Sequence, residues 1–508
     1  MMQPTQLSAY SSYKIDTKVD PAAVTNYGGL FPYLDLMLLT NLPGIITHEM
    51  PSSPPRGWQA MEYVAALLAL NLTGGDCVDD IAKLAADPGI ALYMGSLRQT
   101  LGVQDRRFAR GGQGVLPSQT CIREWLDQFH DEHEETKRQE GTAFIPMPNP
   151  AFTSLRLSAQ QYTTTAWQLY QRSGRPAITR ATLEIDATFM ESQKQTALTC
   201  YKKFDAYSAL TVRWDETGLV VWNQFRDGNV PPSCKNQDAL TEAITYLNTS
   251  LHITDVWIRS DAAACQHDLL DALNSWQVDG RACPVRFAIG YMKTQAFRAV
   301  VRQQPPDDWH PVYDKQGALL FEVTEVPFVS TREAKVAGDP YRHIVVRRKT
   351  TQGMLPGLEV AQPNTADDES MEMGGQAYHI VAIISNIMDW TPQELVAWYN
   401  GRCGNGEAIH SILKSDLAGG QLPSKRFGAN AAWWEIVVLA HNLHVVLALL
   451  ALPDDLKGAR FKRLRFYCIN VPARLVRHAR QCVVRYFHDG TLAIMAAIRA
   501  NLRIVVPI

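Results

Sequence analysis

The sequence predicts an α/β protein with a helical N-terminal region, because the spacing of its apolar residues changes along the 508 residues. Residues up to about 150 carry apolar runs at helical spacing, and strand-like runs begin at about Thr179. From there the pattern is strand, hairpin, helix, strand and helix, followed by a second β-rich block and a long helical zone. Because the chain is too long for one compact core, we expect about three domains or sub-domains.

The N-terminal helices are predicted from apolar runs and their end signals. Residues 61–72 should form an apolar helix that ends at Gly74. A second helix is expected at 78–86, and Ser118 is placed to cap a third that reaches Phe129. The order of short helix, loop and capped helix fits a helix-turn-helix module, but it is more typical of an ordinary helical bundle, which we favour.

The central strands are predicted from two apolar runs that each end on an aspartate. Residues 181–187 (ATLEIDA) contain Asp186, and residues 255–260 (DVWIRS) are followed by Asp261. A hairpin at 207–225 and a helix separate the two runs. The pattern therefore predicts neighbouring strands of one sheet.

The second half of the chain combines strands with long helices. Strands are expected at 285–291, 319–327, 343–348 and 378–386, and Thr391 should cap the helix that follows. The most apolar stretch, 436–452, is short for a membrane span and contains His441 and His444. We therefore expect a buried core helix there and no membrane partner.

Asp186 and Asp261 are the first candidates for chemistry. A charged side chain at the end of an apolar strand is costly unless the site is open or binds a cation, and α/β sheets place their sites at such carboxyl ends. With a later carboxylate on a helix, two aspartates can hold two Mg²⁺ or Mn²⁺ ions about 3.5–4 Å apart. Each aspartate alone is weak evidence, because a strand-terminal aspartate more often caps a turn.

The third acid lies in a segment that begins at Tyr399 and reads YNGRCGNGEAIHSILK. Glu407 and Lys414 are about two helical turns apart and should share one face, which would place a carboxylate beside a phosphate-binding cation. Tyr399 and Arg402 lie at the end of the preceding helix. A surface helix with scattered charges is the alternative.

At this point the sequence resembles the DDE-type transposases of bacterial insertion sequences. The similar branch has a Tyr-x-x-Arg and Glu-x6-Lys signature and a β-rich insertion before the final glutamate. LEIDAT and WIRSDAAA are similar to the blocks that carry the family's two aspartates, and INVPARLVRHARQ in the tail is also family-like. Two departures stand out: Ala262-Ala263 replace Ser-Gly, and four residues instead of three separate Arg402 from Glu407.

The resemblance implies an RNase H-like core in which Asp186, Asp261 and Glu407 hold two Mg²⁺ (or Mn²⁺) ions. The implied activity is DNA transposition, in which hydrolysis at a transposon end frees a 3′-OH that then attacks a target phosphodiester. The implied partner is double-stranded DNA, at both transposon ends and target, bound by a homodimer. The implied location is the bacterial cytosol, near the nucleoid.

Several residues, most of them cationic, are candidate DNA contacts. The first group lies beside the third acid and consists of Tyr399, Arg402 and Lys414. The second group, Lys293 and Arg298, belongs to a run of cations after the second strand. The third group lies in the tail and consists of Arg474, Arg477 and Arg480. The tail arginines recur every third residue after Pro472, so a helix there would align them. Arg463 and Arg465 alternate with apolar residues, as in a half-buried strand. Solvated surface charge remains the alternative for the last two sets.

Charge and cysteine content fit this picture only in part. The net charge is −2, which is low for a DNA-binding enzyme, but the last 108 residues carry 15 Lys and Arg against 6 Asp and Glu. Nine scattered cysteines without a CxxC pair argue against a zinc site and against a disulfide framework, and reduced thiols in a cytosol fit better.

We predict five segments from these observations. They are a helical end-binding region (1–175), the first part of the core (176–285), a β-rich insertion (286–378), the second part of the core (379–452) and a basic tail (453–508). Three other functions stay open: an RNase H-like nuclease without strand transfer, a glycoside hydrolase with paired carboxylates, and an inactive transposase kept as a DNA-binding protein.

Overall fold

The N-terminal part of the protein is helical, as predicted. The structure is a computed structural model, which describes residues 24–50, 57–102, 115–138, 142–330, 341–350, 370–402, 405–478 and 481–504. After the short strand β1 (Val24–Thr25), the helices are α1 (Phe31–Leu39), α2 (Leu42–Glu49), α3 (Ala60–Thr73), α4 (Ile81–Ala85), α5 (Pro88–Leu101), α6 (Gln119–Asp127), α7 (Glu132–Glu135) and α8 (Pro150–Arg172). The predicted ends of α3 and α6 are confirmed: Gly74 has a φ of 93°, and the Ser118 hydroxyl accepts from the Cys121 amide.

Two helices of the predicted helical region lie where no individual helix is predicted. Asp87 caps α5 by accepting from the Gly89 amide at 2.7 Å, so Asp87-Pro88-Gly89 starts a helix as well as ending one. Asn149 caps α8 in the same way, with Pro150 in the first turn. A proline just after a capping residue therefore marks a helix start at both places.

The central part of the fold is an RNase H-like sheet. Its elements are β2 (Arg180–Glu191), β3 (Leu198–Thr199), β4 (Asp205–Trp214), β5 (Val220–Asp227), α9 (Asn236–Thr249), β6 (Asp255–Ser260), α10 (His267–Asn274), the small hairpin β7 (Gln277–Val278) and β8 (Arg281–Ala282), and β9 (Arg286–Gly290). The central order is β5-β4-β2-β6-β9. The pairs β2–β6 and β6–β9 are parallel, and β2–β4 and β4–β5 are antiparallel. The predicted fold class is confirmed.

The β-rich block extends the same sheet. It contains α11 (Gln295–Arg302), β10 (His310–Tyr313), β11 (Leu319–Val326), β12 (Arg342–Lys349), β13 (Met371–Met373) and β14 (Gln376–Ser385). β14 pairs with β9, and β12, β11 and β10 follow outward, so the sheet has 11 strands among the described residues. The strands predicted for an insertion thus share one sheet with the core. The predicted domain boundaries stay a prediction.

Helices after the sheet complete the core. They are α12 (Pro392–Asn400), α13 (Asn405–Ser411) and α14 (Phe427–Leu450). Thr391 caps α12, as predicted, by accepting from the Glu394 amide. α14 has the length and apolar composition of a membrane span, but most of it is buried inside the protein. His441 and His444 are buried and hydrogen-bonded, to the Gly218 carbonyl and the Tyr33 hydroxyl, which confirms that prediction.

The tail folds differently from the prediction. It contains α15 (Phe461–Leu464), β15 (Ala473–His478), β16 (Gln481–Tyr486) and α16 (Asp489–Ile504), and β15 lies between β1 and β16 in a three-stranded sheet. The helix predicted after Pro472 is wrong because the β-branched and apolar residues of this segment pair with those of β16. The strand predicted around Arg463 and Arg465 is also wrong, since these residues are helical.

Candidate active site

Asp186 and Asp261 lie side by side at the carboxyl edge of the central parallel strands. The β2–β6 ladder ends with the pair Ile185 and Ser260, so each aspartate is the next residue of the chain after that pair. β6 ends before Asp261, as predicted, and the Asp261 carboxylate accepts from the Ala263 amide at 3.0 Å. The predicted end of β2 is wrong: the strand continues to Glu191 because it keeps pairing with β4 beyond Asp186.

The electrostatics of this pair favour a cation. Burial raises the pKa of Asp261, and the Asp186 charge raises it further, whereas Arg402 lowers it. The pKa of the nearby Tyr201 phenol is raised by burial and then by both aspartates. Two carboxylates that repel each other in a half-buried place are costly unless a positive charge joins them.

His410 is a residue of the site that the sequence prediction missed. Its Nδ1 lies 3.6 Å from the Asp186 carboxylate, and its Nε2 lies 3.5 Å from the Thr211 hydroxyl. The available signal was its position three residues after Glu407, because residues three apart share a helix face. The backbone of Glu407 lies in α13, and its side chain is outside the described residues.

Tyr399 and Arg402 come together at the end of α12. Arg402 donates from Nη1 to the Tyr399 hydroxyl at 2.9 Å, and its guanidinium lies 5.3 Å from the ring centre. A Cβ on Gly290 would lie 2.7 Å from the Ala262 nitrogen and 3.2 Å from the Tyr399 hydroxyl. Glycine at the end of β9 therefore lets the tyrosine approach the turn that follows Asp261.

Lys414 connects the segment that contains Glu407 to strand β2, which carries Asp186. Its ammonium donates to the Phe189 carbonyl of β2 at 3.1 Å. Burial lowers the pKa of Lys414, Lys202 lowers it further, and Asp186 raises it. The α-helix that carries Glu407 ends at Ser411 and continues as a π-turn (Ile412–Asp416), so the straight helix predicted between Glu407 and Lys414 is wrong.

Lys293 and Arg298 lie beyond the end of β9. The Lys293 ammonium donates to the Ile380 carbonyl at 3.2 Å, and Arg298 donates from Nε to the Lys293 carbonyl at 3.0 Å. Both cations thus contact main-chain carbonyls, that of Lys293 on β14 and that of Arg298 just before α11. Their role in binding DNA stays a prediction.

The tail arginines do not form the expected stripe. Arg474 and Arg477 lie in the strand β15, so the helix that was expected to align the tail arginines is absent from this segment. The side chain of Arg477 and the whole of Arg480 lie outside the described residues. Arg474 is exposed and pairs in register with the exposed Arg485 of β16.

The order of the strands and the paired aspartates define an RNase H-like enzyme that acts on nucleic acid. The family follows from comparison with known proteins: a family model described as transposase DDE domain group 1 matches residues 61–489. Because that match covers most of the chain, the protein belongs to this family and is a DNA transposase. The glycoside hydrolase alternative is therefore set aside.

Other comparisons are more distant. No curated protein matches the chain. Among solved structures, the piggyBac transposase in a synaptic complex with hairpin DNA is similar with a TM-score of 0.37 and 10% sequence identity. The similarity covers 95% of this chain and 86% of that one.

Proposed function

We propose that the protein cuts transposon ends and joins the freed 3′-OH to target DNA by two-metal-ion chemistry. Asp186, Asp261 and Glu407 would hold two Mg²⁺ (or Mn²⁺) ions. The observation that carries the proposal is the pair of aspartates at the carboxyl edge, where burial and the Asp186 charge raise the pKa of Asp261. When bound, such ions activate water and stabilise the entering and leaving oxygens of an in-line displacement.

The donor set fits hard cations. Carboxylate oxygens are the ligands that Mg²⁺ prefers, and Asp186 and Asp261 follow directly on neighbouring parallel strands. Glu407 is the proposed third ligand because it precedes His410 by three residues on α13, and His410 faces Asp186. The family resemblance of its segment supports the same assignment.

The cations around the aspartates would bind the DNA strand that is cut. Arg402 is close enough to Asp261 to lower its pKa, and the Tyr399 hydroxyl holds its guanidinium. A guanidinium beside the carboxylates can pair with a phosphate oxygen. Lys202, which is exposed and close enough to Lys414 to lower its pKa, would add positive charge there, whereas the Lys414 ammonium already donates to the Phe189 carbonyl. Together they offset the charge of the phosphates.

Cleavage of cognate end DNA tests this proposal. We expect cleavage and strand-transfer products with Mg²⁺ or Mn²⁺ and none in EDTA. Cleavage that persists without divalent ions would contradict two-metal chemistry. Cleavage without joined products would indicate a nuclease, and end binding without cleavage would indicate an inactive DNA-binding protein.

We also propose that the protein acts as a homodimer on DNA. The support is stoichiometric: transposition cuts two ends, and the described residues of one chain contain one pair of catalytic aspartates at the carboxyl edge of the sheet. Mass photometry with end DNA should show two chains with two ends. A complex of one chain with two ends would contradict the proposal.

A further inference from the structure

A buried ion network lies beneath the two aspartates, on the same face of the sheet. Glu184 and Arg259 each precede a catalytic aspartate by two residues, so they share its side of the strand. Arg259 donates from Nε to Glu184 at 2.7 Å and from Nη2 to Asp215. Arg213 donates from Nη1 to Glu184 at 2.9 Å and to Asp215 at 2.7 Å. Two arginines and two carboxylates thus neutralise each other.

Arg259 also reaches the helix that carries Tyr399 and leads to Arg402. Its Nη1 donates to the Trp398 carbonyl in the last turn of α12 at 3.0 Å. A cation is favourable at a helix C-terminus, and the Arg259 side chain is only 5% exposed. One guanidinium therefore ties β2, the turn after β4 and the end of α12 to the strand that leads into Asp261.

Gly401 provides a second, independent observation. A Cβ there would lie 2.5 Å from Arg259 Nη1 and 3.3 Å from its Cζ. The φ of Gly401 is −58°, a right-handed helical value that any residue adopts, so a larger side chain there is opposed by the Arg259 guanidinium and not by the backbone conformation. The end of α12 is thus fitted closely around Arg259.

Packing elsewhere holds the rest of α12. Leu395 and Val396 are fully buried in a hydrophobic cluster with Trp257 and residues of β11, β12 and β14. Tyr399 in the last turn belongs to the same cluster, so the helix can fold without the Arg259 contact, which acts on the main chain of that turn.

We propose that Arg259 is a positioning residue, which sets the place of Tyr399 and Arg402 relative to Asp261 without touching DNA. This inference rests on the proposed function of those residues. Loss of the contact should let the end of α12 shift, and a misplacement of about 1 Å in a catalytic site can cost about 100-fold in rate.

The test compares Arg259→Lys, Gly401→Ala and the double variant. Lysine keeps the charge but cannot span three partners, whereas Gly401→Ala pushes the guanidinium away. We expect single-turnover cleavage at saturating end DNA to fall about 10- to 100-fold in each single variant, with the dissociation constant for end DNA within threefold. In the double variant the slimmer lysine leaves room for the methyl group, so the rate should match that of Arg259→Lys alone.

A second readout needs neither metal nor activity. The amides of Gly401 and Arg402 donate to the Trp398 and Tyr399 carbonyls, and their hydrogen exchange should be faster in Arg259→Lys than in the wild type. Arg180→Lys is the matched control: Arg180 pairs with Asp255 at the other end of the same two strands and is 45% exposed. That control should change neither rate nor exchange.

Four outcomes would overturn the inference in folded protein. They are a rate within twofold of wild type for Arg259→Lys, rate losses that multiply in the double variant, a rate loss explained by weaker DNA binding, and unchanged exchange at the end of α12. Gly401 is exposed, so we expect the Gly401→Ala variant to fold. This variant therefore still tests the contact if Arg259→Lys does not fold. A wild type that does not cleave would count against the proposed function, not against this contact.

Discussion

Replacing Lys414 by methionine separates two roles that this residue can have. The sequence suggests a phosphate contact, whereas the structure shows its ammonium donating to the Phe189 carbonyl, three residues beyond Asp186 on β2. Methionine keeps most of the side chain's length and apolar contacts and removes only the charged donor. The substitution therefore tests whether Lys414 holds the Glu407 segment against the catalytic strand.

The expected size of the effect follows from that one hydrogen bond. A hydrogen bond that involves a charged group contributes about 1.5–3 kcal/mol. Lys414 is only partly buried, so the lower part of this range, about 1.5–2 kcal/mol, is expected. If the loss acts on the alignment of α13 with β2, cleavage should slow about 10- to 30-fold, since 1.4 kcal/mol is a factor of ten.

The assay combines denaturant unfolding, single-turnover cleavage and the salt dependence of end binding. We expect a lower free energy of unfolding, slower cleavage and an unchanged slope of log K against log [salt]. Lys462→Met is the control, because Lys462 is exposed on α15, and it should not change the free energy of unfolding. A slope reduced by about one unit with unchanged stability would refute the structural role and identify a phosphate contact instead.

Two further predictions concern the acids and the tail. Alanine at Asp186, Asp261 or Glu407 should abolish cleavage and leave end binding intact, because phosphate contacts position the DNA. Electrophoretic mobility shift assays measure the binding, and cleavage assays measure the cutting. Near-normal cutting by any one variant would remove that residue from the set of metal ligands. Arg474 and Arg485 place like charges opposite each other on β15 and β16, which is unfavourable unless an anion lies between them. Changing both to glutamine should flatten the salt slope of DNA binding by about two units, and an unchanged slope would mean that this face does not contact DNA.

Local signals predicted much of the fold. The strands β4, β5, β6 and β9 and the capped start of α12 follow from alternation, apolar runs and a Thr-Pro cap. The same signals failed in the tail, because arginines at every third residue fit a helix and a strand alike. There the pairing of β15 with β1, about 450 residues earlier in the chain, decides the conformation, and no local pattern contains that information.

The sequence predicted the part of the candidate site that lies at the ends of the strands. Asp186 and Asp261 could be placed together because parallel neighbours end at one edge of a sheet. The position of Lys414 relative to Glu407 could not be predicted, because the π-turn after Ser411 changes the helix geometry. His410 was missed although its spacing from Glu407 is a helical one, since a lone histidine on a helix has many ordinary roles.

The Arg259 network shows that the pairing of two strands gives a specific meaning to charges that are a weak signal in the sequence. In LEIDAT and in WIRSD, a charged residue stands two positions before Asp186 and before Asp261, acidic in the first case and basic in the second. On isolated strands these charges mean little. Once the two strands are parallel neighbours, alternation puts Glu184 and Arg259 opposite each other on the face that carries both aspartates. A buried pair of opposite charges costs least when every donor and acceptor is satisfied, and the remaining donor of Arg259 is satisfied by the end of α12. The charge pattern that stabilises the sheet is therefore the same one that sets the position of Tyr399 and Arg402.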